Sequence, residues 1–251
     1  MRRVQNEPAW LLHSRPYRDT SRIVDILSRE HGRLSLVARG SRTAKSRLAG
    51  ILRPFLPLQL SWVIRSDLGT MTGAEMLGQP IALGGDALLS AYYVNELLLH
   101  LLHRHDPQPE IFAAYSRTIE RLQVDRDVPA VLRAFEIELL RLLGYALNLD
   151  HDAETQSPLL AESWYEYRTE QGPVGVLNRD GPMVFSGAEL IGIRTRDFAD
   201  SQVVRAAGRL LRHVIAFHLD GRELKSRRVL VDIRRTAADQ GDSAQVARHL
   251  R

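Results

Sequence analysis

The chain has no cysteine. Disulfides, thiolate zinc sites, iron–sulfur clusters and cysteine nucleophiles are therefore excluded. Lysine is nearly absent too: Lys45 and Lys225 are the only ones among 34 basic residues. Arginine forks suit phosphate, but a coding bias gives the same preference, so it decides nothing. Aromatic residues are only 6% of the chain, which leaves few rings for stacking. No apolar run approaches the ~20 residues of a membrane span. The opening MRRVQNEPAW lacks the apolar centre of a secretory signal. A soluble cytoplasmic protein is expected. G-x-S-x-G, H-E-x-x-H, the phosphate-binding P-loop and G-x-G-x-x-G are all missing. Glu136 and Glu138 fall on different helix faces, so they form no acid–base pair. Nothing in the sequence asks to be an enzyme active site, and no metal or other cofactor is expected.

What is present is an uneven charge. Residues 1–80 hold 13 Arg and Lys against 6 Asp and Glu, a balance of +7 in a chain of net +4, so the remainder carries −3. The basicity belongs to the N-terminal third and points to a polyanion partner. Its centre is residues 29–53, where Arg29, Arg33, Arg39, Arg42, Lys45, Arg47 and Arg53 face one acid, Glu30. Residues 33–39 alternate like a strand, and a glycine-bounded loop of Ser, Thr, Lys and Arg runs from Gly40 to Gly50. Such a loop suits a phosphate backbone, because bound cations release counterions. A solvated charged loop has the same composition, and charge density leaves both readings open.

The first eighty residues read as five short strands: 9–13, ended by a turn-like Ser14-Arg15-Pro16, then 21–28, 33–39, 56–65 and 70–77. Closure into a small barrel would remove their exposed edges. An OB-fold is the leading candidate and an SH3-like barrel its rival. At Gly84-Gly85 the apolar period changes from two to 3.6. Asp86 is a candidate N-cap for a helix through His103, a second helix ends near Leu122, and Asp127-Val128-Pro129 opens a third that stops at Gly144. These three should pack as a bundle. Residues 148–160 read as loop, and Trp164 to Arg168, Val174 to Val176 and Met183 to Phe185 as a small β insertion. Asp200 or Ser201 caps a helix through Leu219. A second basic run, 222–228, follows. The fold class is thus α+β: an OB-fold barrel over 1–80, a helical domain over 81–235 with a β insertion near 164–186, and a disordered tail over 236–251.

Three local patterns occur in order. His13-Ser14-Arg15-Pro16-Tyr17 precedes Gly32-Arg33-Leu34-Ser35-Leu36-Val37-Ala38-Arg39-Gly40 and Pro54-Phe55. Leu132-Arg133-Ala134-Phe135-Glu136 leads to Leu142-Leu143-Gly144-Tyr145. Leu224-Lys225-Ser226-Arg227 closes the folded part. In that order and spacing the chain resembles the RecO family of bacterial recombinational-repair mediators, over roughly Trp10 to Val231. The resemblance implies binding of single- and double-stranded DNA, annealing of complementary strands, and help in loading RecA-type recombinase onto DNA coated with single-strand-binding protein. It implies RecR and the acidic C-terminal tail of the single-strand-binding protein as partners, RecF and RecA less directly, and a nucleoid-associated cytoplasmic location. Many members carry a four-cysteine zinc site in the insertion; this chain has none.

With that resemblance, Arg33, Arg39, Arg42, Lys45, Arg47 and Arg53 become the DNA-contact candidates, Arg33 and Arg39 sharing one strand face. Lys225, Arg227 and Arg228 extend the path or cap a helix end. Arg133 becomes the candidate for gripping the partner tail's carboxylate, against the reading of a helix arginine paired with a nearby acid. Tyr17 and Phe55 are the rings available for stacking, although Phe55 reads as core. Binding should be salt-dependent and nearly sequence-neutral. His100, His103 and His105, and likewise Asp150-His151-Asp152, lack the spacing of a metal site. Two other functional classes stay open from the residues: an RNA-binding OB protein, and a metal-dependent nuclease.

Overall fold

The computed structural model describes residues 2–226 apart from Ala44 and Ser66. The expectations for Arg227, Arg228 and the 236–251 tail therefore lie outside the described residues. Five strands, β1 (Arg2–Tyr17), β2 (Ser21–Ser28), β3 (Gly32–Ala38), β4 (Leu58–Ile64) and β5 (Leu68–Met76), close into a barrel in the order β1-β2-β3-β5-β4. This is the expected OB-fold arrangement, with a parallel β3–β5 contact completing the ring. Val24, Ile26, Leu34, Leu36, Leu58, Leu60 and Trp62 fill its interior.

One turn expectation is corrected. Ser14-Arg15-Pro16 is not a turn but part of β1, paired with Val24, Ile23 and Arg22, and the chain reverses at residues 18–20. β1 is long because it serves two neighbours in succession. It pairs with β4 up to Ala9 and with β2 from Ala9 onward. Pro8 and Pro16 thus fall where only one side is paired, and their missing N–H is tolerated there. The expected loop between Gly40 and Gly50 is also interrupted, by the short helix α1 (Arg47–Ile51).

Helices α2 (Gly85–Leu101), α3 (Pro109–Val124) and α4 (Val128–Leu142) form the expected bundle. Asp86 lies in the first turn of α2 rather than at its cap, which is Gly84. Asp127 caps α4 by accepting the Ala130 N–H at 3.0 Å. The insertion is a three-stranded sheet in the order β7-β6-β8, from β6 (Trp164–Arg168), β7 (Gly172–Val176) and β8 (Val184–Ser186). Helix α5 (Gly187–Thr195) has no counterpart among the expected elements, although its capping box is legible at Ser186 and Glu189. Helix α6 (Ser201–His218) completes the fold. No described helix is long and apolar enough to cross a membrane.

Barrel and helices share a core. Trp10, Leu12, Leu27 and Phe55 point outward from the barrel and belong to the apolar cluster of the helices. The joint between them is polar as well. A β-bulge between Leu11 and His13 takes Leu12 out of the β1–β2 ladder. Its carbonyl instead accepts Asn95 Nδ2 at 2.9 Å, and Asn95 Oδ1 accepts the Tyr115 hydroxyl at 2.7 Å. Trp10 Nε1 donates to Ser116 Oγ at 2.9 Å. A second seam lies at the start of β3: His105 N donates to the Arg33 carbonyl at 2.9 Å, and Arg33 Nε to the Leu102 carbonyl at 3.1 Å. Gly32 must be glycine here, since a Cβ would overlap the Asp106 carbonyl oxygen and φ is positive.

Removing Asn95 leaves the buried Tyr115 hydroxyl and the bulge carbonyl without partners, each worth about 1–3 kcal/mol. Asn95→Leu is expected to lower the unfolding free energy by about 2 kcal/mol or more, read from the urea midpoint; an unchanged midpoint would refute the joint.

Candidate nucleic-acid interface

The β3–α1 loop is folded, and its backbone explains why. Gly40 takes a positive φ, which turns the chain out of β3. Ser41, buried, donates its hydroxyl to the Ala38 carbonyl at 2.8 Å. Arg42 then ties the loop to the β1–β2 turn: its N–H donates to Thr20 O at 2.9 Å and its Nη1 to Arg18 O at 3.2 Å. Thr43 N and Oγ1 both donate to Gly40 O. Arg18, drawn to the same end of the barrel, lies 5.2 Å from the centre of the Tyr17 ring. The structure therefore gathers Arg18, Arg39, Arg42, Lys45 and Arg47 around one end of the barrel, all exposed. Arg18 is the member that sequence reasoning missed. Arg53 is exposed beyond α1.

Ion pairing separates the two halves of the molecule. Among the described residues every arginine–carboxylate pair lies in the helical part and its insertion. Arg141 and Arg196 both hold Glu138, at 2.9 and 3.0 Å, and pull its pKa down to about 2. Arg121, Arg133, Arg168 and Arg194 are paired likewise. No described arginine of the barrel has such a partner. Charges left unneutralised at one end of a rigid barrel are what a polyanion needs.

Other expected residues are placed elsewhere. Arg33 is half-buried at the helical seam. At ordinary strand rise that is about 20 Å along the strand from Arg39. Burial lowers its pKa, the Arg104 guanidinium adds to this, and Asp25 opposes it. Its Nε is held at the helical seam, at the opposite end of β3 from Arg39. Phe55 is core, 4% exposed, with its ring edge-on to Tyr92. Lys225 has its backbone N–H, with that of Ser226, held by the Glu96 carboxylate, while its side chain is exposed. Arg133 is mostly enclosed: its Nη2 donates to Glu136 Oε1 at 2.8 Å, an oxygen that also accepts the Tyr93 hydroxyl at 2.6 Å. Its Nε is buried with no hydrogen-bond partner. Its Nη1 lies 2.9 Å from where a Cβ on Gly208 would stand, so that glycine makes the room.

His13, Asp25 and Ser35 form a row across β1, β2 and β3 that the sequence did not disclose. Asp25 accepts the Ser35 hydroxyl and lies 3.6 Å from His13 Nδ1. The hydroxyl points to the carboxylate and not to the imidazole, so this is a cross-strand brace and not a nucleophile with its base. Among the described residues no three His, Asp or Glu side chains converge as a metal site. In the cysteine-free insertion a carboxylate does the organising. Asp152 accepts the N–H groups of Glu154, Thr155 and Gly175 at 2.8, 2.9 and 2.8 Å. This blocks the free edge of β7, and Arg209, donating to Val184 O at 3.0 Å, blocks that of β8.

Comparison with known proteins agrees with this architecture. Residues 1–80 match the family model "Recombination protein O N terminal", and residues 84–228 match "Recombination protein O C terminal". The chain is 43% identical over 234 residues to a DNA repair protein RecO of Nitrosococcus oceani, covering 93% of this chain and 95% of that protein. It is 41% identical over 236 residues to one from Azoarcus sp. strain BH72, covering 92% and 97%. A third, from Methylococcus capsulatus, is 40% identical over 225 residues, covering 90% and 92%.

The hydrogen bonds to Asp152, that from Thr155 foremost, hold its pKa below the usual carboxylate range. Its stabilising effect is therefore full above the unfolded-state value and is lost as pH falls through the depressed folded value. Asp152→Asn is expected to lower the urea midpoint at neutral pH, and the gap from wild type should close on acidification. A gap independent of pH would show that Asp152 does not act as a carboxylate.

Proposed function

The chain belongs to the RecO family, and from that premise we propose that this DNA repair and recombination protein works as a non-enzymatic annealing mediator whose DNA grip is the cationic end of its barrel. The observation that carries this is the segregation of ion pairing: among the described residues the arginine–carboxylate pairs all lie outside the barrel. Two strands repel each other through their phosphates. Arg39, Arg42, Lys45 and Arg47, presented on a loop pinned by Arg42, screen that repulsion while the base edges stay free to pair. No bond is made or broken, so no catalytic residue is required.

Arg133 is our candidate for the terminal carboxylate of the single-strand-binding protein's tail. Its support is the unpartnered Nε. A tail carboxylate would compete with Glu136 for the guanidinium, in a setting where charge-assisted bonds are strong. Family membership further proposes RecR, RecF and RecA-type recombinase as partners, to which we assign no residues. Loading of recombinase on coated DNA and a nucleoid location belong to the same reading.

Reversing Arg39, Lys45 and Arg47 to Glu together, which spares the loop tie made by Arg42, is expected to abolish annealing of complementary oligonucleotides without changing the melting temperature; unchanged annealing would sink the site. The triple alanine variant should flatten the slope of log K against log salt by about 2 for single strands. Equal competition by RNA of the same sequence would favour an RNA-binding role instead. For the tail site, Arg133→Lys is expected to weaken binding of the acidic tail peptide about tenfold in a calorimetric titration while leaving DNA affinity alone. Retained peptide affinity would remove Arg133 from the site.

A further inference from the structure

Two rings that are far apart in sequence, Tyr145 and His218, meet on the surface of the helical part, with Phe217 next to His218 in the chain. Helix α4 ends in a glycine stop, with Gly144 at positive φ. Gly144 N donates to Arg141 O at 3.1 Å, and Tyr145 N donates to Leu140 O at 2.8 Å. This double closure fixes where the Tyr145 ring begins. The ring lies on that of His218, the last residue of α6, with centroids 3.9 Å apart and planes 19° from parallel. Phe217 meets the His218 ring edge-on at 5.4 Å. Tyr145 is 46% exposed and Phe217 49%, so large parts of both rings face solvent. Scattered exposed rings need no explanation, but a half-exposed ring stacked on one from a distant segment does.

The shape and surroundings narrow what would cover them. The stacked pair presents a flat π surface, which suits a planar ring. Arg222 and Lys225, both exposed, follow on the segment just past α6, and the backbone of Lys225 is anchored by Glu96. Burial lowers the pKa of His218 despite opposing fields from Glu170 and Asp220, which favours a neutral imidazole that stacks without repelling a base. Those two carboxylates also make the rings themselves a poor place for phosphate.

We propose that Tyr145, His218 and Phe217 form a stacking ledge for the bases of single-stranded DNA, followed in the chain by the exposed Arg222 and Lys225 and distinct from the cationic end of the barrel. The inference rests on the DNA-binding function proposed above. A ledge of this kind selects single strands, because duplex bases already stack on one another. It supplies base contact where the barrel supplies charge, and base–aromatic stacking is tolerant of sequence.

The experiment is fluorescence-anisotropy binding of the full chain to oligo(dT), to the same backbone carrying abasic spacers, and to a duplex. Tyr145→Ala with Phe217→Ala is expected to weaken oligo(dT) binding about tenfold, with duplex and abasic binding and the salt slope unchanged. Tyr145→Phe should behave as wild type, and Tyr145→Leu, which keeps apolar volume without a ring, should lose affinity. That comparison remains decisive if the double variant folds poorly. Wild-type affinity in Tyr145→Leu, or equal losses on all three ligands, overturns the ledge; the former would mark an apolar surface for a protein partner instead. A wild type that binds DNA with unaltered variants removes the ledge alone, whereas a wild type that binds no DNA removes both readings.

Discussion

The joint at Leu12 is the constraint on which the rest of the structure depends. A strand that has one residue too many for its ladder must leave a carbonyl unpaired, and a buried carbonyl without a donor is costly. Here that carbonyl is met by Asn95, whose own oxygen is met by Tyr115. The bulge thus sets the register of α2 and α3 on the barrel. The outward Trp10, Leu12, Leu27 and Phe55 then become part of the helical core, where they would otherwise be an exposed apolar patch. The two parts are joined by shared burial, with the polar triad fixing their angle and position.

Once that joint is made, charge sorts itself by what lies nearby. Helices place acids and arginines three and four residues apart, so partners such as Arg141–Glu138 and Arg121–Asp125 arise within one element. The barrel has no such local supply. Its loop and turn carry arginine after arginine, with Asp19 as a lone exposed acid in the β1–β2 turn. The same contrast explains the divergent fates of Arg33 and Arg39. One meets the carbonyl of Leu102 at the seam, and the other stays in water at the far end of the strand.

The insertion shows a different solution to a problem of small size. A three-stranded sheet with little core needs something to hold its loops, and thiolate zinc is one answer. In this chain a single carboxylate gathers three backbone N–H groups from two segments, and one arginine closes the opposite edge. Both devices also deny the sheet a free edge for pairing with another chain.

Local pattern was legible from the residues. The alternation in β2, β3 and β4 and the change of period at Gly84-Gly85 announced a barrel followed by helices, and the +7 balance of residues 1–80 announced where positive charge would gather. Those features depend on neighbours two to four positions apart, which sequence displays directly. Pro16 misled because a proline in a strand is harmless when the strand has a partner on one side only, and that is a property of the sheet. In the same way tertiary structure alone decided that Arg33 serves the seam, that Asp25 braces Ser35 and that Tyr145 lies on His218. The sequence determined the periods that mark the barrel strands and the bundle helices, and where charge accumulates. Packing decided which charges are neutralised and which rings meet, because those outcomes depend on surfaces brought together from distant parts of the chain.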